Sequence, residues 1–154
     1  MTNGDASPLF VDTNILVYAN SASSQWHAPA QQALESAAAA GVELWISRQT
    51  LREYLAVVTR QQYFPSPLPV ADAIARVQYF ETIFQIAEDG PAVMARLLLL
   101  LQQVAVGGRQ IHDANIVATM QAHGIRRLLT HNVADFTRFA AHVTVVPLVA
   151  VPGG

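Results

Sequence analysis

Short apolar runs alternate with longer helical patterns along the chain. The runs "PLFV", "VELWIS", "TIFQIA", "RRLLT" and "VTVVPL" have the length and the apolar content of buried strands. The segments between them, among them "RQTLREYLAVVTRQ", "VADAIARVQYF" and "HDANIVATMQAHG", repeat apolar residues at helical spacing. Strands that alternate with helices predict an α/β fold, arranged as an α/β/α sandwich with a mostly parallel central sheet.

A leucine-rich helix is predicted from Pro91 to Val106 and is apolar on more than one side. Beside the stripe that contains Leu97, it carries Leu98, Leu99 and Leu101. This pattern fits either a helix that is buried in a large core or a helix at a homodimer or partner interface.

Composition narrows the class of protein. A chain of 154 residues is predicted to form a single domain, residues 1–154. Its charged fraction of 13% is low, which indicates a surface that contacts a partner. A net charge of −2 without any lysine argues against a basic protein that coats nucleic acid. The absence of cysteine excludes disulfides and thiolate metal sites.

The sequence shows no segment that would direct the chain to a membrane or out of the cell. The run "RLLLLLQQVAV" is too short to span a membrane, and "MTNGDASP" does not resemble a signal peptide. A cytoplasmic protein is therefore expected.

Acidic side chains lie near the ends of several predicted strands. Asp12 comes directly after the first strand, Glu53 lies in the first turns of the helix after the second, and Asp113 opens the helix before "RRLLT". Asn132 and Asp135 follow that fourth strand. Because ligand sites of open α/β sheets lie outside the carboxyl ends of the strands, these residues are predicted to converge.

Converging carboxylates repel one another, and a cation relieves that repulsion. Oxygen ligands from Asp and Glu suit Mg²⁺ or Mn²⁺, which can activate water and polarise a phosphodiester. The predicted chemistry is therefore phosphodiester hydrolysis. Each acid also has a structural interpretation: Asp12, Asp113 and Asp135 are favourable helix N-caps, and a lone Glu53 is typical of a solvated helix surface.

Four arginines lie close in sequence to these acids and are candidates to hold substrate phosphates on either side of a metal. They are Arg48, Arg52, Arg109 and Arg138. The alternative for each is a solvated position on a helix surface.

Four segments together resemble a known family. "FVDTNILVYA", "LREYLAVVTR", "IHDANIVATM" and "LLTHNVADF" occur in the order and context of a PIN-domain ribonuclease, and are similar in particular to the VapC-type toxins of bacterial toxin–antitoxin pairs. The resemblance extends from Leu9 to about Leu148. It implies a PIN-like sandwich in which Asp12, Glu53 and Asp113 are the acids of the family's metal site.

The resemblance also implies supporting groups and a fourth acid. Asn14 falls on a position that is often polar beside the first aspartate, and Thr130 falls on the threonine that ends the fourth strand. Many family members have aspartate where this chain has Asn132, and the available carboxylate is Asp135. Asp135 is therefore predicted to reach the metal directly or through water, with Asn132 as a hydrogen-bonding support. This departure leaves open whether a second ion binds.

The activity that the resemblance implies is RNA cleavage, in which a water activated by Mg²⁺ or Mn²⁺ attacks a phosphodiester in line. Asp12 or Glu53 would help orient or deprotonate the water. Family members usually form homodimers and are silenced by a small antitoxin protein whose C-terminal segment enters the acidic groove. RNA selectivity is expected to reside in groove shape and in loops such as "YFPSPLP".

Other classes of protein also place aspartates at strand ends. Receiver domains and haloacid-dehalogenase-like phosphatases do so around Mg²⁺, but both need a positioned lysine, and the phosphatases need a second aspartate where this chain has Asn14. A further alternative is a non-catalytic PIN-like interaction module. Asn132 favours that alternative, whereas the four carboxylates count against it.

Overall fold

Five short strands form one sheet in the computed structural model, which describes residues 6–148. The order across the sheet is β3-β2-β1-β4-β5, and every described pairing is parallel. The predicted α/β fold is therefore confirmed. The predicted single domain, residues 1–154, and the segment "MTNGDASP", which was predicted not to be a signal peptide, both extend beyond the described residues. The strands are β1 (Leu9–Val11), β2 (Leu44–Ser47), β3 (Gln85–Ala87), β4 (Arg127–Thr130) and β5 (Thr144–Pro147).

Helices cover both faces of this sheet. Successive strand residues point to opposite faces, so Leu9 and Val11 pack in a core with α1 to α4, whereas Phe10 packs in a second core with α5, α6 and a 3-10 helix. Cover on both faces explains why the strands are mostly apolar. The helices are α1 (Thr13–Ala19), α2 (His27–Ala39), α3 (Arg48–Thr59), α4 (Val70–Ile83), α5 (Pro91–Gln103) and α6 (Gln110–Ala122), and the 3-10 helix is Val133–Phe139.

The direction of the chain across the sheet reverses between β1 and β4. From β1 the chain continues to β2 and β3 on one side, whereas β4 continues to β5 on the other. A crevice forms at such a reversal, outside the carboxyl ends of the strands. Asp12 follows β1 directly and Thr130 is the last residue of β4. Both residues therefore lie at this crevice.

One strand is shorter than predicted. The segment "TIFQIA" was expected to be extended from Thr82, but α4 continues to Ile83 and β3 begins at Gln85. Phe80 is buried in the last turns of α4, where its ring meets the ring of Tyr54 edge to face at a centroid distance of 5.0 Å. Tertiary packing of this kind outweighs the β propensity of the segment.

The leucine-rich helix α5 is buried on one side only. Leu97 and Leu100 are buried, whereas Met94, Leu98 and Leu99 are 54%, 55% and 51% exposed. The interpretation of α5 as a helix enclosed in a large core is wrong, because the described part of the chain leaves this outer face open. Among residues 6–148, no helix is long and apolar enough to cross a membrane.

Candidate active site

Hydrogen bonds hold Asp12 at its backbone nitrogen and at both of its carboxylate oxygens. Its backbone N–H donates to the Leu129 carbonyl at 3.0 Å, which extends the pairing of β1 with β4. Its Oδ1 accepts from the Thr13 N–H at 2.8 Å and caps α1. Its Oδ2 accepts from the Thr130 hydroxyl at 2.7 Å and from the Asn14 amide at 3.1 Å. The N-cap interpretation is confirmed, but capping uses only one of the two oxygens.

Burial raises the pKa of Asp12 above its ordinary value, because desolvation disfavours the charged form. The negative charge of Glu53 adds to the rise, while the hydrogen bonds from Thr130, Thr13 and Asn14 oppose it. A carboxylate offers about four lone-pair sites, and the bonds to its oxygens occupy three of them. Asp12 therefore retains about one site with which to bind a further ligand.

Thr130 and Asn14 connect Asp12 to the segment after β4. The buried Thr130 hydroxyl donates to Asp12 and accepts from the Asn132 backbone N–H at 3.0 Å. Asn14 Oδ1 accepts from the His131 N–H at 3.1 Å. The end of β1 and the end of β4 are thus joined by side chains as well as by the sheet.

Glu53 is positioned by the way that α3 begins. Ser47 and Thr50 form a reciprocal cap, in which each side chain accepts from the other's backbone N–H at 3.3 Å. One turn later, Glu53 Oε1 accepts from the Thr13 hydroxyl at 2.9 Å, and Oε2 accepts from the Gln49 amide at 3.0 Å. Glu53 is therefore half-buried and held in place, and its interpretation as a solvated surface residue is wrong.

Asp113 and Asp135 are not helix N-caps. Arg109 occupies the N-cap of α6, and Asn132 occupies the N-cap of the 3-10 helix. Each aspartate lies in the first turn of its helix. At the start of α6 the helix dipole favours a negative charge, so this position tolerates Asp113 without using it as a cap.

The charge of Asp113 is disfavoured by its surroundings. Partial burial raises its pKa, and the negative charges of Asp135, Asp12 and Glu53 raise it further, to about 6. The positive charge of Arg138 acts in the opposite direction. These carboxylates are therefore close enough to repel one another, as expected for residues that share a site.

One cleft of about 730 Å³ brings the predicted acids together. Asp12, Glu53, Asp113 and Asp135, here called the acid cluster, all line it, as do Asn14 and Asn132. Among residues 6–148, no three Asp, Glu or His side chains are already arranged to hold one metal ion. The donor set still fits a hard divalent cation, since every ligand atom is oxygen and the accumulated negative charge calls for neutralisation.

The family model for the PIN domain matches residues 9–141 of this chain. The chain belongs to the PIN domain family. Ribonuclease VapC37 of Mycobacterium tuberculosis is 28% identical over 131 residues, which cover 84% of this chain and 90% of that protein. The resemblance inferred from four sequence segments is thus confirmed.

Solved structures share the fold of this PIN domain. M. tuberculosis VapC20, described as a toxin that cleaves the sarcin-ricin loop, has a TM-score of 0.65 at 16% identity, covering 88% of this chain and 96% of that one. A toxin–antitoxin complex from Klebsiella pneumoniae has a TM-score of 0.60 at 26% identity, covering 94% of this chain and 99% of the matched one.

Arg48, a predicted phosphate ligand, is held in ion pairs and is not among the residues that line the cleft. Its guanidinium forms ion pairs with Glu81 at 2.6 Å and with Glu88 at 2.8 Å, which connect α3 to α4 and to the segment after β3. Arg52 and Arg109 are exposed and are not among the residues that line the cleft.

Two other arginines of this PIN domain are better placed than Arg48 to bind phosphate beside the acid cluster. Arg138 acts electrostatically on Asp113, so this predicted candidate lies near the acid cluster. Arg60, at the end of α3, lines the cleft. Sequence reasoning missed Arg60 because it lies seven residues beyond Glu53, although that spacing places both residues on one face of a helix.

Gln49 and Asn115 form a polar bridge that sequence reasoning also missed. Gln49 is 6% exposed and donates to Glu53 Oε2 at 3.0 Å and to the His112 carbonyl at 2.9 Å. Its own Oε1 accepts from the Asn115 amide at 2.8 Å. The bridge fixes Glu53 on α3 relative to the turn of α6 that carries Asp113. The available signal was the four-residue spacing from Gln49 to Glu53, which makes them neighbours on a helix.

We expect Gln49→Leu to lower the free energy of unfolding by about 1 kcal/mol, because it removes these hydrogen bonds and leaves their partners in place. Urea unfolding followed by circular dichroism measures the change. Gln78→Leu, on the exposed side of α4, is the matched control and should change stability by less than about 0.5 kcal/mol. Equal losses in the two variants would contradict the bridging role.

Proposed function

We propose that this PIN domain is a metal-dependent endoribonuclease that acts as the toxin of a toxin–antitoxin pair. The observation that carries the proposal is the meeting of the acid cluster in one cleft, where burial and mutual repulsion raise the pKa of Asp12 and Asp113. Relatives named ribonuclease VapC support the substrate class. Fold similarity to toxin–antitoxin complexes supports the partner class.

Mg²⁺ or Mn²⁺ is the cofactor that this donor set fits. Asp12, Glu53 and Asp113 would hold the ion, and Asp135, exposed at the cleft, would contribute directly or through water. When bound, the ion supplies Lewis-acid activation of the phosphodiester and of the attacking water.

The chain's own residues prepare the site for hydrolysis. Thr130 and Asn14 fix the orientation of Asp12, and Thr13 does the same for Glu53. Each oxygen of Glu53 accepts one hydrogen bond and keeps lone pairs available, so Glu53 is better placed than Asp12 to take a proton from water.

Arginines would hold the substrate on either side of the reacting phosphate. Arg60 lines the cleft, and Arg138 lies near Asp113. Guanidinium groups bind phosphate oxygens in pairs, which fixes orientation as well as charge.

Cleavage of an end-labelled RNA pool by the purified, partner-free chain tests the proposal. We expect cutting with Mg²⁺ or Mn²⁺ and none with EDTA. The second candidate function is a non-catalytic interaction module, which is favoured by the amide of Asn132 at a position where the family resemblance leads us to expect a carboxylate. A folded chain that binds an antitoxin but cuts no RNA with either ion would support that second function instead.

The partners that we propose are a small antitoxin and a second copy of the chain. A cationic segment of an antitoxin would complement the acid cluster, and a homodimer interface would cover Met94, Leu98 and Leu99 on α5. The complex would act in the cytoplasm, where RNA is available. Light scattering of the chain alone and with its antitoxin measures both associations, and a monomer that purifies without a partner and expresses harmlessly would contradict the toxin role.

A further inference from the structure

We propose that Phe64 and Trp26 form a nucleobase subsite, which holds an unpaired base of the RNA beside the acid cluster. The inference rests on the proposed ribonuclease function and adds which residues bind a base of the RNA. The ligand is the flat face of a base in a single strand, and the site is sequence-tolerant because every base has such a face.

Two connections between helices bring aromatic residues to the cleft. The connection from α1 to α2 contributes Trp26 together with Ser21, Ser23 and Ser24. The end of α3 and the connection from α3 to α4 contribute Arg60, Tyr63 and Phe64. The cleft therefore combines oxygen ligands at the strand ends with aromatic faces and hydroxyls on its bordering segments.

Phe64 is exposed in a way that folding does not explain. It is 74% exposed, more than any other large hydrophobic side chain in residues 6–148. Its neighbour Tyr63, by contrast, packs against the core that contains α3 and α4. A single exposed ring is common on protein surfaces, but Phe64 lines the same cleft as Trp26 and the acid cluster, where its face is free to stack on a base.

Trp26 is held as a rigid face. Its ring lies 4.4 Å from the ring of His131, centroid to centroid, and His131 in turn meets Tyr18 edge to face at 5.6 Å. The backbone N–H of Trp26 donates to the Ser24 hydroxyl at 3.0 Å. Because these contacts fix the indole in advance, little rotamer entropy is lost when a base stacks on it.

The chemistry favours a base over a peptide side chain. Proteins that recognise single-stranded RNA stack splayed bases on Phe, Tyr, Trp and His. An RNA whose phosphate reaches the acid cluster through a cation presents its bases within the same cleft. Three serines, Ser21, Ser23 and Ser24, also line the cleft, and their hydroxyl groups would offer further hydrogen bonds to the polar edge of the stacked base.

The test compares two short RNAs of equal charge: a random octamer and the same octamer without its bases. Binding is measured in Mg²⁺ by fluorescence anisotropy, with the intactness of the RNA checked on a gel. We expect the wild type to prefer the base-bearing octamer by about 10-fold or more, a preference of the size that base stacking provides. Phe64→Leu should lose most of this preference, and Phe64→Tyr should retain it.

Tyr79→Leu is the matched control, since Tyr79 is an aromatic residue on α4 that is 51% exposed and lies outside the cleft lining. It should leave the preference unchanged. In a Trp45→Phe background, Trp26 is the single tryptophan, so the base-bearing octamer should quench its fluorescence and the abasic one should not.

Distinct results separate the subsite from the ribonuclease function. Metal-dependent cutting with an unchanged base preference in Phe64→Leu overturns the subsite alone. If Phe64→Leu weakens inhibition by the antitoxin but not RNA binding, the aromatic face serves a peptide and the nucleobase assignment is wrong. If the wild type neither binds nor cuts RNA in Mg²⁺, both proposals fail together.

Discussion

Asp12→Asn is expected to abolish metal-dependent RNA cleavage, with a fall in rate of about 10³-fold or more. The magnitude follows from the several kcal/mol by which a bound cation stabilises a phosphoryl transition state. Asp12 is the residue on which the site depends most, because it is almost fully buried between β1 and β4 and its charge acts on Asp113. Cleavage of the labelled RNA pool in Mg²⁺, at matched protein concentration, measures the effect.

The variant should remain folded, which makes loss of activity interpretable. Asparagine caps helices about as well as aspartate, so α1 keeps its first hydrogen bond. The substitution removes the charge-assisted hydrogen bonds that Thr130 and Asn14 donate to the carboxylate, but it also removes a buried charge. Asp72→Asn, an exposed acid in the first turn of α4, is the control and should cut at the wild-type rate. Undiminished cleavage by Asp12→Asn would refute the assignment of the site.

The position of Asp12 was predictable from the chain because a carboxylate directly after a buried strand has few explanations. The sequence favoured either a helix cap or a cation ligand. The structure confirms the cap, and the carboxylate retains about one lone-pair site for the proposed ligand role. One oxygen of Asp12 caps α1, while the other accepts hydrogen bonds from Thr130 and Asn14. The sheet topology then brings the remaining acids to the same place.

Residues whose role depends on distant partners were not predictable. Gln49 is a neutral amide, and its partner Asn115 lies 66 residues away, so no periodic pattern connects them. Arg48 was named as a phosphate ligand because it lies close in sequence to Glu53, but the structure places its guanidinium in ion pairs elsewhere. Its partners Glu81 and Glu88 arrive from other elements. Proximity in sequence therefore says little about the partners of a long, flexible side chain such as that of Arg48. A short side chain directly after a strand, such as that of Asp12, is positioned by the strand itself.

Without metal, wild type is expected to be less stable than Asp113→Asn at neutral pH, and most of this difference should be lost at pH 4. The pKa of Asp113 is raised from 3.8 to about 6 in the folded protein. The unfolded chain therefore releases this proton at lower pH than the folded chain, and stability falls as the pH rises through that window. The full difference corresponds to about 3 kcal/mol, and solvent screening of the half-buried side chain reduces the expectation to about 2 kcal/mol.

Urea unfolding in EDTA at pH 4 and at pH 7.5 measures this difference, with Asp72→Asn, an exposed acid outside the cleft lining, as the control. Adding Mg²⁺ at pH 7.5 should then raise the stability of wild type, because an ion that binds only the folded state stabilises it by mass action. Asp113→Asn should gain less. A stability difference between Asp113→Asn and wild type that stays constant from pH 4 to 7.5 would show that the pKa of Asp113 is not raised in the folded protein. Burial and the neighbouring negative charges both raise the pKa of Asp113. A bound cation would offset both effects, so the two measurements test one electrostatic cause.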